Sequence, residues 1–324
     1  GRHLHGVGLT LIHRSDGFGK GGPSDCRMEL ALAADGAIEL RCGFTELGQN
    51  LVGAIQSLGA QYLGCAADDV RPVLGDTRLT PDSGPVAASR ATTLVWRALQ
   101  QAAQPWQQAL LQAGARLQPD TLLCCGAQGL KSATGLCLSY ADLAKALGGQ
   151  APKIAIDLHA EDPEDNAHDT HFVFGACAAI AQVRVDTWSG MVQVQELVMC
   201  TALGPVASAQ GYLGQMEGGA VMGMAMCTQE ELTCQDGHYQ ARNLDGYLIP
   251  TLADAPAMQV LAIENLPKDD PIGPRGAGEI SVNFALPAVA NALAAALQRP
   301  ITHLPMTPQR VIALLEADPE ASAS

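Results

Sequence analysis

The segment GPRGAGEISVNFALPAVANALAAAL carries one carboxylate, Glu279, at the end of a loop of three glycines, a proline and an arginine, just before a helix predicted to begin near Asn283. A carboxylate held on such a loop, against the apolar Ile280-Ser281-Val282 step, is suited to work as a general base. The same position also suits a carboxylate that merely complements the dipole of the helix it precedes, and the residues alone leave both readings open. Two further places could hold a ligand. The tripeptide Leu-Gly-Gln occurs at Leu47-Gly48-Gln49 and again at Leu213-Gly214-Gln215, each time after strand-like sequence and beside helix-like sequence. Glycine admits close backbone approach, while the free N–H groups of a helix start and the glutamine amide donate hydrogen bonds to the polar edge of a ligand.

Other chemistries lack their residues. The sequence has no GxSxG, HExxH or Walker loop, and GPRGAGE spaces its glycines as GxxGxG, the reverse of a dinucleotide fingerprint. GFGKGG, from Gly17, lacks the Ser or Thr that must follow the lysine of a phosphate loop and reads as a loop. His168 and His171 lie in an acidic, turn-rich stretch that reads as solvated rather than metal-binding. The ten cysteines include no CxxC, only the adjacent Cys124 and Cys125, so no metal site is expected and the thiols read as reduced, packed side chains.

The elements that must position these residues follow from composition and periodicity. A chain of 324 residues with 48% apolar content can bury a large core, and 33 acidic against 19 basic residues, a net charge of −14, argue against nucleic acid or an anionic membrane as partner. The most apolar stretches fall short of the roughly 20 residues that span a bilayer, and a cytoplasmic location is expected. HGVGLTLIHR, CRMELALA and AIELRCGF read as a meander of strands, the last two joined at Ala34-Asp35-Gly36. Helices are predicted over Asn50–Gly64, Ala88–Ala115 and Gln215–Met226, and a hairpin turning at Asp186–Gly190 precedes the last of these. The polar run HAEDPEDNAHDTH, His159 to His171, is the expected crossing between two lobes. The expected fold is α+β: two similar lobes, 1–165 and 166–324, each a mixed or antiparallel sheet with helices on one face, with the site at their junction. Strands, Leu-Gly-Gln and helix in both halves suggest a duplicated unit.

TELGQN, SGPVAASRAT, LGQMEGGAVMG and GPRGAGE, in this order and spacing, together with the hairpin FGACAAIAQVRVDTWSG, resemble the molybdenum-binding subunits of xanthine dehydrogenases, aldehyde oxidases and carbon monoxide dehydrogenases. The match runs from about Val7 to Leu297. The resemblance implies that Gly48, Gln49, Ala87, Ala88, Ser89 and Gln215 contact a molybdopterin cofactor, with its cytidine dinucleotide form left open. It implies that Glu279 stands beside molybdenum as the base of an oxidative hydroxylation of an N-heterocycle or aldehyde. It also implies partners: an upstream half of the subunit, a [2Fe–2S] protein and an FAD protein. The isolated chain is then expected to expose part of its cofactor groove, and to dimerise or bind cofactor weakly. Arg275 is a candidate for positioning the loop or a substrate anion.

Relatives usually carry GQG where this chain has Gly48-Gln49-Asn50, and Asn-Pro where it has Gly204-Pro205. These departures support an alternative, a non-catalytic scaffold of the same fold. A third reading, a hydrolase pairing Glu46 with Glu279, requires the two carboxylates about 5–10 Å apart.

Overall fold

The computed structural model describes residues 1–17, 25–158, 173–266 and 273–317. GFGKGG beyond Gly17, the crossing at 159–171 and His168 and His171 lie outside the described residues. The chain runs through β1 (His3–Asp16), β2 (Cys26–Leu32), β3 (Ile38–Cys42), α1 (Leu51–Leu63), β4 (Val70–Leu74) and α2 (Ala91–Leu117). A small sheet of β5 (Cys124–Gly126), β6 (Gly129–Ser132) and β7 (Gly135–Ser139) follows, then α3 (Tyr140–Leu147) and β8 (Lys153–Leu158). The second half holds β9 (Val173–Asp186), β10 (Val192–Ala202), α4 (Ala209–Thr228), a short pair β11 (Cys234–Gln235) and β12 (His238–Tyr239), β13 (Ala257–Ala262), α5 (Ile280–Leu297) and α6 (Pro308–Glu316).

Two four-stranded sheets, ordered β4-β3-β2-β8 and β1-β9-β10-β13, carry the architecture, and the fold is the expected mixture of mixed sheets and helices. Each is built alike: an antiparallel hairpin, a helix, a strand parallel to the second hairpin strand, and a second helix. In the first unit this is β2, β3, α1, β4 and α2; in the second it is β9, β10, α4, β13 and α5. Each unit has its own apolar core. Met28, Leu40, Ile55, Leu99 and Trp106 fill the first, and Val183, Leu197, Met216, Phe284 and Val289 the second.

The fourth strand of each sheet shows where the expected meander fails. β8 pairs antiparallel with β2, but β1 does not join β2: it pairs along its whole length with β9, His3 opposite Asp186 and Asp16 opposite Val173. The expected division at 165/166 counts β1 with the first lobe, whereas its hydrogen bonds are in the second sheet. The reason is steric. Gly6 and Gly8 face α5, where a Cβ would lie 2.1 Å from the Ala292 carbonyl oxygen and 2.2 Å from that of Ala288. A bare backbone on one face of β1 therefore fits the alanine ridge of α5, while Val7, Leu9 and Leu11 point outward and are exposed.

α5 is 18 residues long and apolar enough to cross a membrane by length and composition. It starts three residues earlier than expected and continues through Pro287. It is nevertheless a core helix, packed between the sheet and α4 with Phe284, Ala288, Val289 and Ala292 fully buried.

β1 ends on Asp16, which is buried, accepts from the Gly276 N–H at 2.8 Å and pairs with Arg14 at 2.9 Å. Burial pushes its carboxyl up to about 7, against the opposing pull of the Gly276 bond and of Arg14. Folding thus favours the protonated acid. The stability this contributes is present in full below about pH 4, the unfolded value, and is lost as pH rises through about 7.

Two outcomes are expected. Gly8→Val should lower stability in urea by about 3 kcal/mol, since backbone must move to admit the side chain, whereas Gly218→Ala, with open space at its Cβ position, should gain about 0.5–1 kcal/mol. Between pH 4 and pH 7, Asp16→Asn should lose less stability than the wild type; equal losses would contradict the burial argument.

Candidate functional site

Helices α1 and α4 begin beside one another. Asn50, left-handed at φ 64, precedes α1 and donates from Nδ2 to Ser208 Oγ at 3.1 Å. Ser208 caps α4, accepting from the Gly211 N–H at 3.4 Å, and a Cβ at Gly211 would lie 2.5 Å from Asn50 Nδ2. The duplicated corners are therefore Asn50 and Ser208. Gln215 lies inside α4, in its second turn, so Leu213-Gly214-Gln215 is not a corner, and the matching tripeptides do not occupy equivalent places.

The first corner is also differently used than expected. Glu46 Oε1 accepts from the N–H groups of Gly48 at 2.9 Å and Asn50 at 3.1 Å, and Oε2 from that of Val52 at 3.0 Å. The donors expected to be free for a ligand are thus held by a carboxylate of the chain. Glu46 is a cap, not a lining residue of the cleft that holds Glu279, which removes support for paired carboxylates. Gly48 supplies the turn with φ 98 but does not line the cleft. The Gln49 amide closes the same turn, donating to the Thr45 carbonyl at 2.9 Å and accepting from the Leu47 N–H.

Between the two helix starts, the 87–89 segment and the glycine loop lies a cleft of about 240 Å³, lined by Gln49, Ala87, Ala88, Ser89, Gln215 and Glu279. Ala88 and Ser89 are both left-handed, at φ 55 and 52, conformations that cost a non-glycine residue roughly 1 kcal/mol or more each. The surroundings impose them. The Gly17 N–H donates to the Ala88 carbonyl at 2.8 Å, and Gly276 presses so close that a Cβ there would lie 2.1 Å from the Ser89 carbonyl oxygen. Among the described residues the N–H groups of Ala88 and Ser89 meet no protein acceptor.

The glycine loop is pinned along its length. Thr93 Oγ1 donates to the Pro274 carbonyl at 2.6 Å, and the Arg275 N–H donates to the Leu203 carbonyl at 2.7 Å. Arg275 Nε reaches the Phe174 carbonyl at 3.3 Å, so this arginine holds the loop to the second sheet. Glu279 stands at the start of α5 with its side chain 51% exposed. Its Oε2 accepts from Ser89 Oγ at 3.0 Å and from Arg14 Nη2. On its other side a second space of about 510 Å³ is shared by Arg14, Gln215, Gly218, Met222 and Asn283. The sequence reading missed Arg14 and Asp16, which sit at the end of a strand with no local signature of a site.

The donor set suits the polar edge of an organic ligand: two backbone N–H groups without an acceptor among the described residues, the Ser89 hydroxyl and the Gln215 amide, with one carboxylate at the edge and no cysteine in the lining. Among the described residues no group of three His, Cys, Asp or Glu could hold a metal ion by itself.

Residues 1–256 match the molybdopterin cofactor-binding domain family. The chain is 36% identical over 315 residues to a probable xanthine dehydrogenase component of Bacillus subtilis, covering 96% of this chain and 42% of the relative. It is 24% identical over 320 residues to an aldehyde oxidoreductase of Megalodesulfovibrio gigas, covering 97% of this chain and 33% of the relative. The quinoline 2-oxidoreductase structure from Pseudomonas putida 86 shares the fold, with a TM-score of 0.81 and 20% identity over 98% of this chain and 42% of that one. The chain thus spans less than half the length of these relatives. The duplicated units, the cleft between their helix starts and the match over residues 1–256 lead to one conclusion: the chain belongs to the molybdopterin cofactor-binding domain family.

Proposed function

We propose that this chain is the cofactor-binding portion of a molybdenum hydroxylase, in which Glu279 is the general base for adding a water-derived oxygen to an N-heterocycle or an aldehyde. The observation that carries the reading is the placement of that carboxylate. Glu279 lines both the donor-lined cleft and the second space, so one group in each would flank it. When bound, the molybdenum–pterin group supplies the two-electron oxidation. Ala88 and Ser89 N–H groups and the Gln215 amide hold the polar edge of the pterin, and Ser89 Oγ aligns Glu279. Glu279 takes up the proton released as the oxygen is transferred. A cleft of about 240 Å³ takes a pterin-sized head, and the nucleotide of a cytidine dinucleotide form would extend beyond it. An upstream portion of the subunit completes the substrate side, and iron–sulfur and FAD partners accept the electrons.

The departure at Asn50 is no support for a scaffold. Asparagine is the side chain that best tolerates the left-handed backbone after glycine, and here it also links the two helix starts. The corner keeps its shape.

The test is the complex purified from its source, wild type against Glu279→Gln, assayed for molybdenum, pterin and hydroxylase turnover. Retained molybdenum with turnover reduced about 10²–10⁴-fold is expected of a lost general base. A wild type without molybdenum, or an active Glu279→Gln, would overturn the reading.

A further inference from the structure

Glu279 is held by a residue from the other end of the sequence. The Arg14 guanidinium spans two carboxylates, with Nη1 donating to Asp16 Oδ1 at 2.9 Å and to the Ser15 carbonyl at 2.8 Å while Nη2 donates to Glu279 Oε2. The anchoring end is dry and the working end is wet: the Asp16 side chain is 4% exposed, that of Arg14 19% and that of Glu279 51%. A planar guanidinium fixed on one edge presents its remaining N–H groups in a set direction, which an ammonium on a flexible stem does not. Asp16 itself is tied to the Gly276 N–H of the loop that delivers Glu279, so arginine and glutamate are referred to one anchor. The consequence falls on the two carboxylate oxygens. Oε2 is occupied by Arg14 and Ser89, whereas among the described residues Oε1 has no hydrogen-bond partner.

We propose that Arg14 is a positioning residue for Glu279: anchored on Asp16, it fixes Oε2 and leaves Oε1 as the oxygen that takes up the proton. This rests on the base role proposed above for its turnover consequence, though not for the pairing itself, so the two are tested separately. The pairing is read in the chain by infrared difference spectroscopy, in which wild type minus Glu279→Gln isolates the carboxylate stretch of Glu279. Arg14→Gln should move that band to the position of a solvated carboxylate, and Arg14→Lys should keep part of the shift. In the full complex, assayed below the variant's melting transition, Arg14→Gln should lower kcat about 10²-fold through misplacement, with KM and bound pterin unchanged, and Arg14→Lys should recover part of the loss. If Arg14→Gln does not fold, Arg14→Lys carries both readings. A band that stays in place, an unchanged kcat, or a loss of kcat that merely follows loss of pterin would overturn the proposal. An active Glu279→Gln alongside a shifted band would instead remove the base role and leave the pairing standing.

Discussion

The contact between Gly276 and Ser89 is the constraint on which the site depends. With a Cβ at Gly276 the loop would collide with the Ser89 carbonyl, so only glycine lets the loop before α5 lie against the left-handed Ala88-Ser89 turn. That close approach brings Ser89 Oγ to Glu279 and the Gly276 N–H to buried Asp16. Two strained residues are tolerated because both flanking units are well packed, and strain of this kind persists only where the surroundings over-determine it.

The duplicated architecture explains why the cleft lies where it does. Each unit offers the start of the helix that follows its hairpin, and Asn50 with Ser208 clamps the two starts together. The second unit then adds what the first lacks, a glycine loop ending in a carboxylate. β1 completes the arrangement by leaving the first unit and joining β9, which carries Arg14 and Asp16 to the loop. Strand exchange of this kind makes the site a joint product of chain segments more than 250 positions apart, as the Arg14–Glu279 pair illustrates.

What could be read in advance was whatever has a local signature. The hairpin at Asp186–Gly190, α1 and α2 follow from alternation and helical periodicity, and Glu279 stands out because glycines gather before it. The partner of β1 has no such signature: strand alternation says which face is apolar, while choosing β9 over β2 depends on glycines fitting a helix nearly three hundred residues away. Leu213-Gly214-Gln215 misled for a related reason, since glycine and glutamine mimic a helix start while the true cap is Ser208, whose side-chain acceptor was there to be noticed. Glu46 was likewise legible as a cap, because an acidic residue just before a helix seeks its free N–H groups.

Hydrogen exchange on the full complex, prepared with and without cofactor, tests whether the cleft between the two units receives the pterin. Exchange at the Ala88 and Ser89 amides and around Gln215 should slow when the cofactor is present, with the outward face of β1 unchanged. Exchange at the 87–89 segment that is the same in both preparations, with protection appearing elsewhere on this chain, would contradict it.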